Sequence, residues 1–573
     1  MCPTFFAQLL RRNSFLLYFK RGKLAKIPEN SRILLGKVTE ENKEKTPHST
    51  NAQMLLFLSF SIQYLGFAYS QSYSIDDFGA VSGIDTHTQA VRNGAAFASA
   101  LYAANASSSR RSILVPEGKV YSFLPSVPSF ENVRDVVIYL EGTLEVYTQN
   151  FTKAYPNYPN PWVPLRFHSC EGLSIISTSG KGLLNGRGNL WWWYAILVED
   201  NRANLLEVDT AKNFALEGVS FLNSAAWHMW LSGQTNATVH GVTVRVDIED
   251  QLNVYRYIGG SSPSASLEEV LRNAERIGPS SQIQAKRWAA GGSLANRDAS
   301  GDPSLLAARA AAIPGEVRAQ EWYNPQWGIT PPVPMIWALN TDGIDFSGQG
   351  ITVTNCSVTN FDDSVCVKPS DSADGSPSGC TSDVDIRDIV ITYGVGVSMG
   401  SVPPGGSGVN CIDGVSARNL RFDTPIKALY MKPNPAKNDP GGDFGRIANV
   451  LYEDVEIHDA LWWAIWVGTQ QQQQPGTAGT GCSFLFPLFN SSCPLDPQVT
   501  LANITLRRVS LYNGLLAPGV IMANETNPGT GFLWDSVVAY NSSNFPFSDY
   551  LVKNIQGDAT GGTLPIPSSF RVN

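Results

Sequence analysis

Short stretches that alternate apolar and polar residues recur along the second half of the chain at a nearly constant spacing. Each copy holds an alternating strand, a bend, a second alternating strand, a polar turn and a third strand. Alternation with period two predicts β-strands, and intervals of 33, 31 and 35 residues between the first copies predict a stacked solenoid. The copies begin at Ile351, Val384, Val415, Val450 and Ile504, and an earlier one begins at Phe214.

Stacking determines the architecture that this repeat predicts. One coil cannot bury its apolar face alone, but parallel coils about 4.8 Å apart form a continuous core and align equivalent side chains. We therefore expect residues 71–573 to form a single all-β parallel β-helix. The amphipathic segment 77–105 predicts a helix that caps the open N-terminal end. Residues 249–330 predict a helical insertion, which either walls one end of the binding face or is surface decoration.

The N-terminal 70 residues have a different character. Residues 1–53 are basic and irregular, whereas residues 54–70 form an apolar run that ends in small residues. This pattern predicts a signal peptide, a mature start near Gln71 and a secreted, extracellular protein. The alternative is a membrane-anchoring helix, which the short length of the run and its Ser, Gln and Gly residues disfavour. No membrane association is expected after cleavage.

Sequons and cysteines also fit export. Seven cysteines remain without Cys2, and we expect Cys482 and Cys493, which bracket a short loop, to form a disulfide. The cysteines have no C-x-x-C spacing, so the sequence predicts no zinc site. Eight N-x-S/T sequons are candidate glycosylation sites: Asn105, Asn150, Asn236, Asn355, Asn490, Asn503, Asn524 and Asn541.

The charge balance limits the class of partner. A formal charge of −8 argues against a phosphate-binding surface, so no nucleic-acid partner is expected. An anionic substrate is still compatible with this balance, because a few local lysines or arginines can hold one.

The strongest candidate chemistry is a group of three aspartates. Asn340-Thr341-Asp342-Gly343 is followed, 20 residues after Asp342, by Asp362-Asp363. One coil of a solenoid would place Asp342 beside this pair, and carboxylates so close cannot all ionise easily, so one should hold its proton. Glycoside hydrolysis needs such a set: a carboxylic acid protonates the leaving oxygen and a carboxylate activates water. Either motif alone could be an ordinary turn.

The order of motifs resembles glycoside hydrolase family 28, the polygalacturonase and rhamnogalacturonan hydrolase family. DFGA from Asp77, VPEG from Val115 and GKGLLNGRG from Gly180 precede NTDG and the aspartate pair. The resemblance covers roughly residues 73–555. It implies a right-handed parallel β-helix of the pectin-lyase-like type, with an open cleft across one sheet. It also implies hydrolysis of pectic polysaccharides with inversion and without a cofactor or metal.

The same resemblance implies roles for individual residues. Asp362 resembles the general acid, and Asp342 and Asp363 resemble the water-activating pair. Lys432, which could instead be a solvated rim residue, is one of four candidate substrate-binding residues. The other three are Asn340, Tyr430 and His228.

Two positions depart from the family pattern. Val395 stands where polygalacturonases carry a histidine, and Tyr430 stands where an arginine precedes the lysine that is here Lys432. These departures, with the run from Val365 to Lys368, favour a rhamnogalacturonan-hydrolase-like branch, although that branch often has Glu where this chain has Asp363. The site should then be more apolar and less positive, with weak activity on homogalacturonan that Tyr430→Arg would raise.

Aromatic residues and a histidine complete the candidates. His228 could contact substrate, but it fits better as a packed or hydrogen-bonded residue. Tryptophans near the same faces could stack on sugars, or they could belong to the core: Trp227, Trp230, Trp462, Trp463 and Trp466.

The main hypothesis is therefore a monomeric, secreted, metal-free hydrolase of pectic polysaccharides, with rhamnogalacturonan- or xylogalacturonan-type specificity as a variant. A non-catalytic carbohydrate-binding β-helix is a second hypothesis, which the missing histidine and arginine favour and the aspartate triad opposes. A calcium-dependent eliminase on the same fold is a third, but the sequence has no separate acidic calcium site.

Overall fold

The structure of the protein is a computed structural model, and it describes 13 separate stretches of the chain. They are residues 72–148, 163–188, 191–192, 202–247, 338, 340–370, 380–404, 409–434, 444–469, 482, 493–514, 518–540 and 549–572. The expected leader, residues 1–70, and the expected insertion, residues 249–330, lie outside the described residues, so both stay predictions.

The described chain is built almost entirely of strands that pair in parallel. Each pairing between named strands of the described residues is parallel. The predicted right-handed parallel β-helix is confirmed. The strands are β1 (Tyr73–Ser74), β2 (Ser112–Val115), β3 (Val120–Phe123), β4 (Phe130–Glu131), β5 (Val137–Leu140), β6 (Thr143–Val146), β7 (Leu165–His168), β8 (Ser174–Ile176), β9 (Leu183–Asn185), β10 (Leu206–Asp209), β11 (Ala215–Glu217), β12 (Ser220–Leu222), β13 (Met229–His240), β14 (Thr243–Arg245), β15 (Ile344–Val367), β16 (Thr381–Val402), β17 (Val409–Asp423), β18 (Lys427–Pro433), β19 (Phe444–His458), β20 (Ile465–Val467), β21 (Val499–Tyr512), β22 (Gly519–Met522), β23 (Gly529–Tyr540), β24 (Leu551–Lys553), β25 (Ile555–Thr560) and β26 (Phe570–Val572).

The repeats found in the sequence stack in register. The first residues of five successive copies are direct partners across neighbouring strands, and all five are buried in one core. A one-residue slip would turn an apolar position of each strand toward solvent, so inward apolar residues fix the register. The five stacked residues are Ile351, Val384, Val415, Val450 and Ile504.

The long strands bend at corners within their length, and these corners repeat from coil to coil as regularly as the strands. One corner position has a left-handed backbone, with φ between 51° and 60°, in five successive coils. Asn and Asp tolerate this conformation better than most residues, and they fill four of the five positions. The five residues are Asn355, Asp388, Asn419, Asp454 and Arg508.

A helix covers the N-terminal end of the core, as predicted. Helix α1 spans His87–Ala106, and the Thr86 side chain caps it by accepting a hydrogen bond from the Gln89 backbone N–H. Phe97 packs on Phe123 with ring centroids 5.7 Å apart. A side chain at Gly94 would have its Cβ 1.8 Å from the Leu124 carbonyl oxygen, so only glycine allows the helix to lie this close. A short 3₁₀ helix, Ile75–Phe78, precedes α1.

Two disulfides lie within the described residues. Cys482–Cys493 is the bridge that the sequence predicts, and Cys380–Cys411 is a second one. Cys170, Cys356 and Cys366 are buried free thiols. Across the described stretches, no helix has the length and apolar character needed to span a membrane.

Candidate active site

The candidate site lies on the outer face of the strands that carry the aspartates. Alternate residues of these strands, such as Val367, Met399 and Met431, enter the core. The residues between them form a row along the helix axis, with Cys366, Ser398, Tyr430 and Trp466 in direct register. The period-two alternation therefore separates a buried apolar face from a face with polar groups.

The structure brings the three aspartates together. One carboxylate oxygen each of Asp342, Asp362 and Asp363 lies within 4.8 Å of the others. The Gly343 backbone N–H donates to the Asp363 carbonyl oxygen at 2.7 Å, which joins the two motifs directly. The Asn360 amide donates to the carbonyls of Asp362 and Asp363, at 3.0 and 2.8 Å, and fixes the turn between them.

A glycine in the next coil makes room for this turn. A Cβ at Gly394 would lie 1.9 Å from Ser364 Oγ and 2.3 Å from Asn360 Oδ1. Ser364 Oγ itself donates to Asn360 Oδ1 at 2.7 Å. A side chain at residue 394 would therefore disrupt the hydrogen bonds that hold the aspartate pair.

Asp363 is the ionised member of the triad. Its side chain is 3% exposed, forms an ion pair with Lys432, and lies 3.2 Å from Lys368 Nζ. Ser398 Oγ donates to Asp363 Oδ1 at 2.9 Å. Burial alone would raise the pKa of Asp363, but the two lysine charges and the hydrogen bonds from Lys432 and Ser398 hold it well below its usual value.

The other two aspartates favour their protonated forms. Burial, followed by the charge of Asp362, raises the pKa of Asp342 well above its usual value. Its Oδ1 is buried without a hydrogen-bond partner among the described residues, which favours the neutral acid. Burial and the charge of Asp363 also raise the pKa of Asp362, although Lys432 opposes them. Three adjacent carboxyls thus have separate proton affinities, which is the condition for dividing acid and base roles.

Asn340 holds Asp362 from the preceding coil. Its backbone N–H donates to Asp362 Oδ2 at 3.1 Å. The side-chain amide of Asn340 is oriented so that both its nitrogen and its oxygen form hydrogen bonds. The amide nitrogen donates to Asp362 Oδ2 at 3.2 Å, and the amide oxygen accepts from Arg202 Nη2 at 3.3 Å. Asn340 therefore contacts the expected general acid, a role that the sequence analysis did not give it.

His228 is a packed and hydrogen-bonded residue. Its side chain is fully buried, its Nδ1 lies 2.9 Å from the Asp342 carbonyl oxygen, and its Nε2 accepts from the Ser224 backbone N–H at 3.2 Å. Burial lowers the pKa of His228 to about 4, so the ring is neutral at ordinary pH. With both nitrogens in internal hydrogen bonds, His228 orients the backbone of Asp342, which is the second of the two alternatives considered for it.

The structure adds charged residues that the sequence analysis did not place. Asp345 is fully buried and pairs with Lys368 Nζ at 3.0 Å, and burial raises the pKa of Asp345 to about 6. Lys427 is 5% exposed and lies over the Tyr430 ring. Alternation along the strands does not identify these residues, because it does not show which outward faces become covered. Without knowledge that this face is covered, they resemble solvated strand residues.

The donor set fits lysine-neutralised carboxylates better than a metal ion. The triad oxygens are close enough for a shared cation, but Lys432 and Lys368 already contact Asp363. Two ammonium groups at this distance would repel a divalent cation.

The sequence matches the family described as Glycosyl hydrolases family 28 over residues 107–265 and 333–481, which is more than half of the chain. The chain belongs to this family. The second matched stretch contains all three aspartates and Lys432, so the site described above lies within the region that defines the membership.

Individual relatives are more distant. A "Probable endo-xylogalacturonan hydrolase A" of Aspergillus fumigatus is 29% identical over 119 residues, 21% of this chain and 26% of the relative. A "Putative galacturan 1,4-alpha-galacturonidase A" of Aspergillus niger is 25% identical over 135 residues, 22% of this chain and 28% of the relative. The match thus spans about a quarter of the length of these curated relatives.

One solved structure shows the same fold. The crystal structure of endo-xylogalacturonan hydrolase from Aspergillus tubingensis has a TM-score of 0.53 and 17% identity, over 86% of this chain and 96% of that chain. At this identity the likeness concerns the β-helix alone.

The two departures from the family 28 pattern have different surroundings. Val395 is partly buried and lies in register between Asp363 and Lys427. Tyr430 is 3% exposed and packs in an aromatic cluster with Trp466. The expectation that Tyr430→Arg raises activity does not follow from this geometry, because the arginine would enter an aromatic cluster beside two lysines. The expectation of a less positive site stays a prediction, because Lys427 adds a basic group here but burial lowers its pKa to about 7.

The tryptophans divide into two groups. Trp462, Trp463 and Trp466 are buried and pack with Tyr430, so they belong to the core of this family 28 protein. Trp227 and Trp230 are only partly buried, pack edge to face at 5.7 Å, and lie beside Lys368, whose Nζ is 5.4 Å from the Trp227 ring centroid. Of the five, only these two lie where a sugar could reach them.

Proposed function

We propose that this protein hydrolyses glycosidic bonds in galacturonate-containing pectic polysaccharides, with Asp362 as general acid and the pair Asp342–Asp363 as the water-activating base. The observation that carries the proposal is the separation of proton affinities within one cluster: the pKa of Asp362 is raised and that of Asp363 is lowered. An inverting hydrolase needs one protonated and one ionised carboxyl on the two sides of the bond.

The proposed step follows from the exposure of the three residues. Asp362 is the most exposed of them, so it can reach the bridging oxygen and donate its proton as the bond to the anomeric carbon breaks. A water molecule between Asp342 and Asp363 attacks that carbon, and its proton passes to Asp363, the ionised member of the pair. Because their nearest oxygens lie within 4.8 Å, one water can hydrogen-bond to both at ordinary distances.

Inversion rests on family membership more than on the spacing. The carboxyls of inverting enzymes are typically about 6.5–9.5 Å apart and those of retaining enzymes about 5–5.5 Å, so the close oxygens here do not by themselves favour inversion. The anomeric configuration of the first product, followed by proton NMR, decides the point. A product with the substrate's own configuration would contradict the proposed base.

The substrate class is supported by the names of the relatives. One is a probable endo-xylogalacturonan hydrolase and another a putative galacturan galacturonidase. With Tyr430 and Val395 at the departed positions, we propose weak activity on unsubstituted homogalacturonan and higher activity on branched or rhamnose-containing pectin. Reducing-end release from homogalacturonan, xylogalacturonan and rhamnogalacturonan, with and without EDTA, tests both parts. Release from none of them would favour a non-catalytic carbohydrate-binding protein, and loss with EDTA would favour a metal-dependent reaction.

Export is part of the same proposal. It is supported by the apolar run at residues 54–70 and by the disulfides Cys380–Cys411 and Cys482–Cys493, since disulfides persist in oxidising compartments. We expect N-terminal sequencing of protein from the culture medium to begin within a few residues of Gln71. Soluble protein that retains residues 1–53 would contradict this expectation.

A further inference from the structure

Lys427 is a buried lysine beside the catalytic cluster that the proposed reaction does not use. Its Nζ lies 4.4 Å from the centroid of the Tyr430 ring and 5.0 Å from that of the Trp466 ring. Cations bind aromatic faces at such distances, and the interaction strengthens when water is excluded. The two rings therefore hold the ammonium group in a defined place.

The position of Lys427 relative to the aspartates follows from the register. Asp363 pairs with Val395 in the next coil, and Val395 pairs with Lys427 in the coil after that. Two coil spacings place the Lys427 backbone roughly 10 Å from that of Asp363 along the helix axis. A polysaccharide lying along this axis would meet a carboxylate, an apolar side chain and an ammonium group in that order.

A second lysine shares the same ring. Lys432 Nζ lies 5.2 Å from the Tyr430 centroid, so two ammonium groups contact one aromatic side chain. Burial, and then the charge of Lys432, lower the pKa of Lys427 to about 7, although Asp363 and Asp362 oppose the shift. An additional anion beside the ring would relieve the repulsion between the two lysines.

We propose that Lys427, positioned by Tyr430 and Trp466, binds the carboxylate of a galacturonate unit next to the cleavage site. This inference rests on the proposed function and specifies it: the adjacent subsite takes an acidic sugar, although the family arginine is absent. Val395, between the acid cluster and Lys427, contacts the apolar face of the sugar chain.

The test compares two ligands that share one sugar backbone, in which the carboxylate of one is a neutral methyl ester in the other. Galacturonate oligomers and their methyl-esterified counterparts are titrated by calorimetry into Asp362→Asn protein, which prevents turnover. Adding Lys427→Met should weaken binding of the acidic oligomer roughly 30-fold or more, because truncating one partner of a close charge pair has a large effect. Binding of the esterified oligomer should change only a few-fold, and Lys427→Arg should keep the preference for the acidic ligand.

Two results would overturn the inference. One is an equal loss of affinity for both ligands, and the other is unchanged affinity for the acidic ligand in Lys427→Met protein. Lys427→Gln, which keeps a polar group, serves if Lys427→Met does not fold, as judged by circular dichroism. Failure of the proposed function appears separately, as wild-type protein that releases no reducing ends from any pectin.

Discussion

Two sets of charged residues lie on neighbouring strands of the same β-helix, and their surroundings differ. The ladder that we call exposed, because its side chains are 15–45% exposed, consists of four direct register partners in successive coils: Arg418, Glu453, Arg507 and Asp535. Its ion pairs have N–O distances of 3.2, 3.2 and 3.3 Å. Opposite charges alternate along it, as expected where stacking brings equivalent positions together.

The buried cluster consists of Asp345, Asp363, Lys368 and Lys432. It also pairs carboxylates with basic side chains at similar distances, but its cations are lysines, and the Asp363 and Lys432 side chains are only 3% exposed. In a medium of low polarity, burial raises the cost of each charge and strengthens each attraction. Asp345 consequently has its pKa raised to about 6, while the pKa of Asp363 is lowered.

The comparison indicates that stacking alone does not make a catalytic site in this fold. Stacking brings charges together in both regions. Of the two regions, only the buried cluster shifts the pKa values of neighbouring carboxyls in opposite directions. Carboxyls with different pKa values can act as an acid and a base at the same pH.

The largest expected effect separates the two regions by activity. Asp362→Asn keeps the size of the side chain but removes the proton donor, so we expect hydrolysis to fall by roughly 10²–10⁴-fold. Asp535→Asn, on the exposed ladder, is the matched control and should keep wild-type activity. Initial rates of reducing-end release from the preferred pectin measure both. Asp362→Asn protein with half of the wild-type rate would show that Asp362 is not the acid.

The next effect concerns stability. Lys432→Met leaves the buried Asp363 carboxylate without its closest cation, and removal of one partner of a buried pair typically lowers the free energy of unfolding by about 3–5 kcal/mol. Arg507→Met, which removes a cation from the exposed ladder, should shift the thermal midpoint far less. Adding Asp363→Asn to Lys432→Met should restore part of the loss. Equal midpoint shifts in the two single variants would contradict the difference between the regions.

The sequence predicted the parts of the fold that depend on periodic burial. The register of Ile351, Val384, Val415 and Val450 follows from their spacing, because each begins an alternating strand whose apolar residues must face inward. Stacking also brings Asp342 beside the aspartate pair, although the 20 residues from Asp342 to Asp362 are fewer than one repeat interval. Cys380–Cys411 could also have been found, since its separation of 31 residues is one coil period.

The parts of the site that were not predicted depend on which outward-facing strand residues become covered by other residues. The alternation of apolar and polar residues does not show which outward faces are covered. Lys427 and Arg418 are both basic residues on strands of the β-helix, yet Lys427 is buried against Tyr430 and Arg418 is exposed. The loss of the family arginine therefore suggested a less positive site, whereas the structure places Lys427, three residues before Tyr430 on the same strand, over the Tyr430 ring. Asp345 escaped notice for the same reason.

The smallest expected effect compares two histidines by the pH dependence of stability. Burial lowers the pKa of His228 from 6.5 to about 4. Between these values the unfolded chain takes up a proton that the folded chain does not bind, so a lower pH favours unfolding. The contribution of His228 to stability is complete above pH 6.5 and is lost as the pH falls toward 4. The thermal midpoint of the wild type should therefore fall as the pH is lowered from 6.5 to 4. We expect this fall to be smaller in His228→Gln protein, by on the order of a few degrees.

The matched control for this prediction is His458→Gln. His458 stacks on Tyr512 with ring centroids 4.8 Å apart and has a side chain 27% exposed, so this variant controls for the loss of a histidine ring that is not fully buried. The informative quantity is the slope of the thermal midpoint against pH, because loss of the hydrogen bond to the Asp342 carbonyl lowers the midpoint of His228→Gln at every pH. A slope in His228→Gln protein as steep as in the wild type would mean that the His228 ring is protonated in the folded protein. It would then donate from both nitrogens, and the hydrogen bond that Nε2 accepts from the Ser224 N–H could not form.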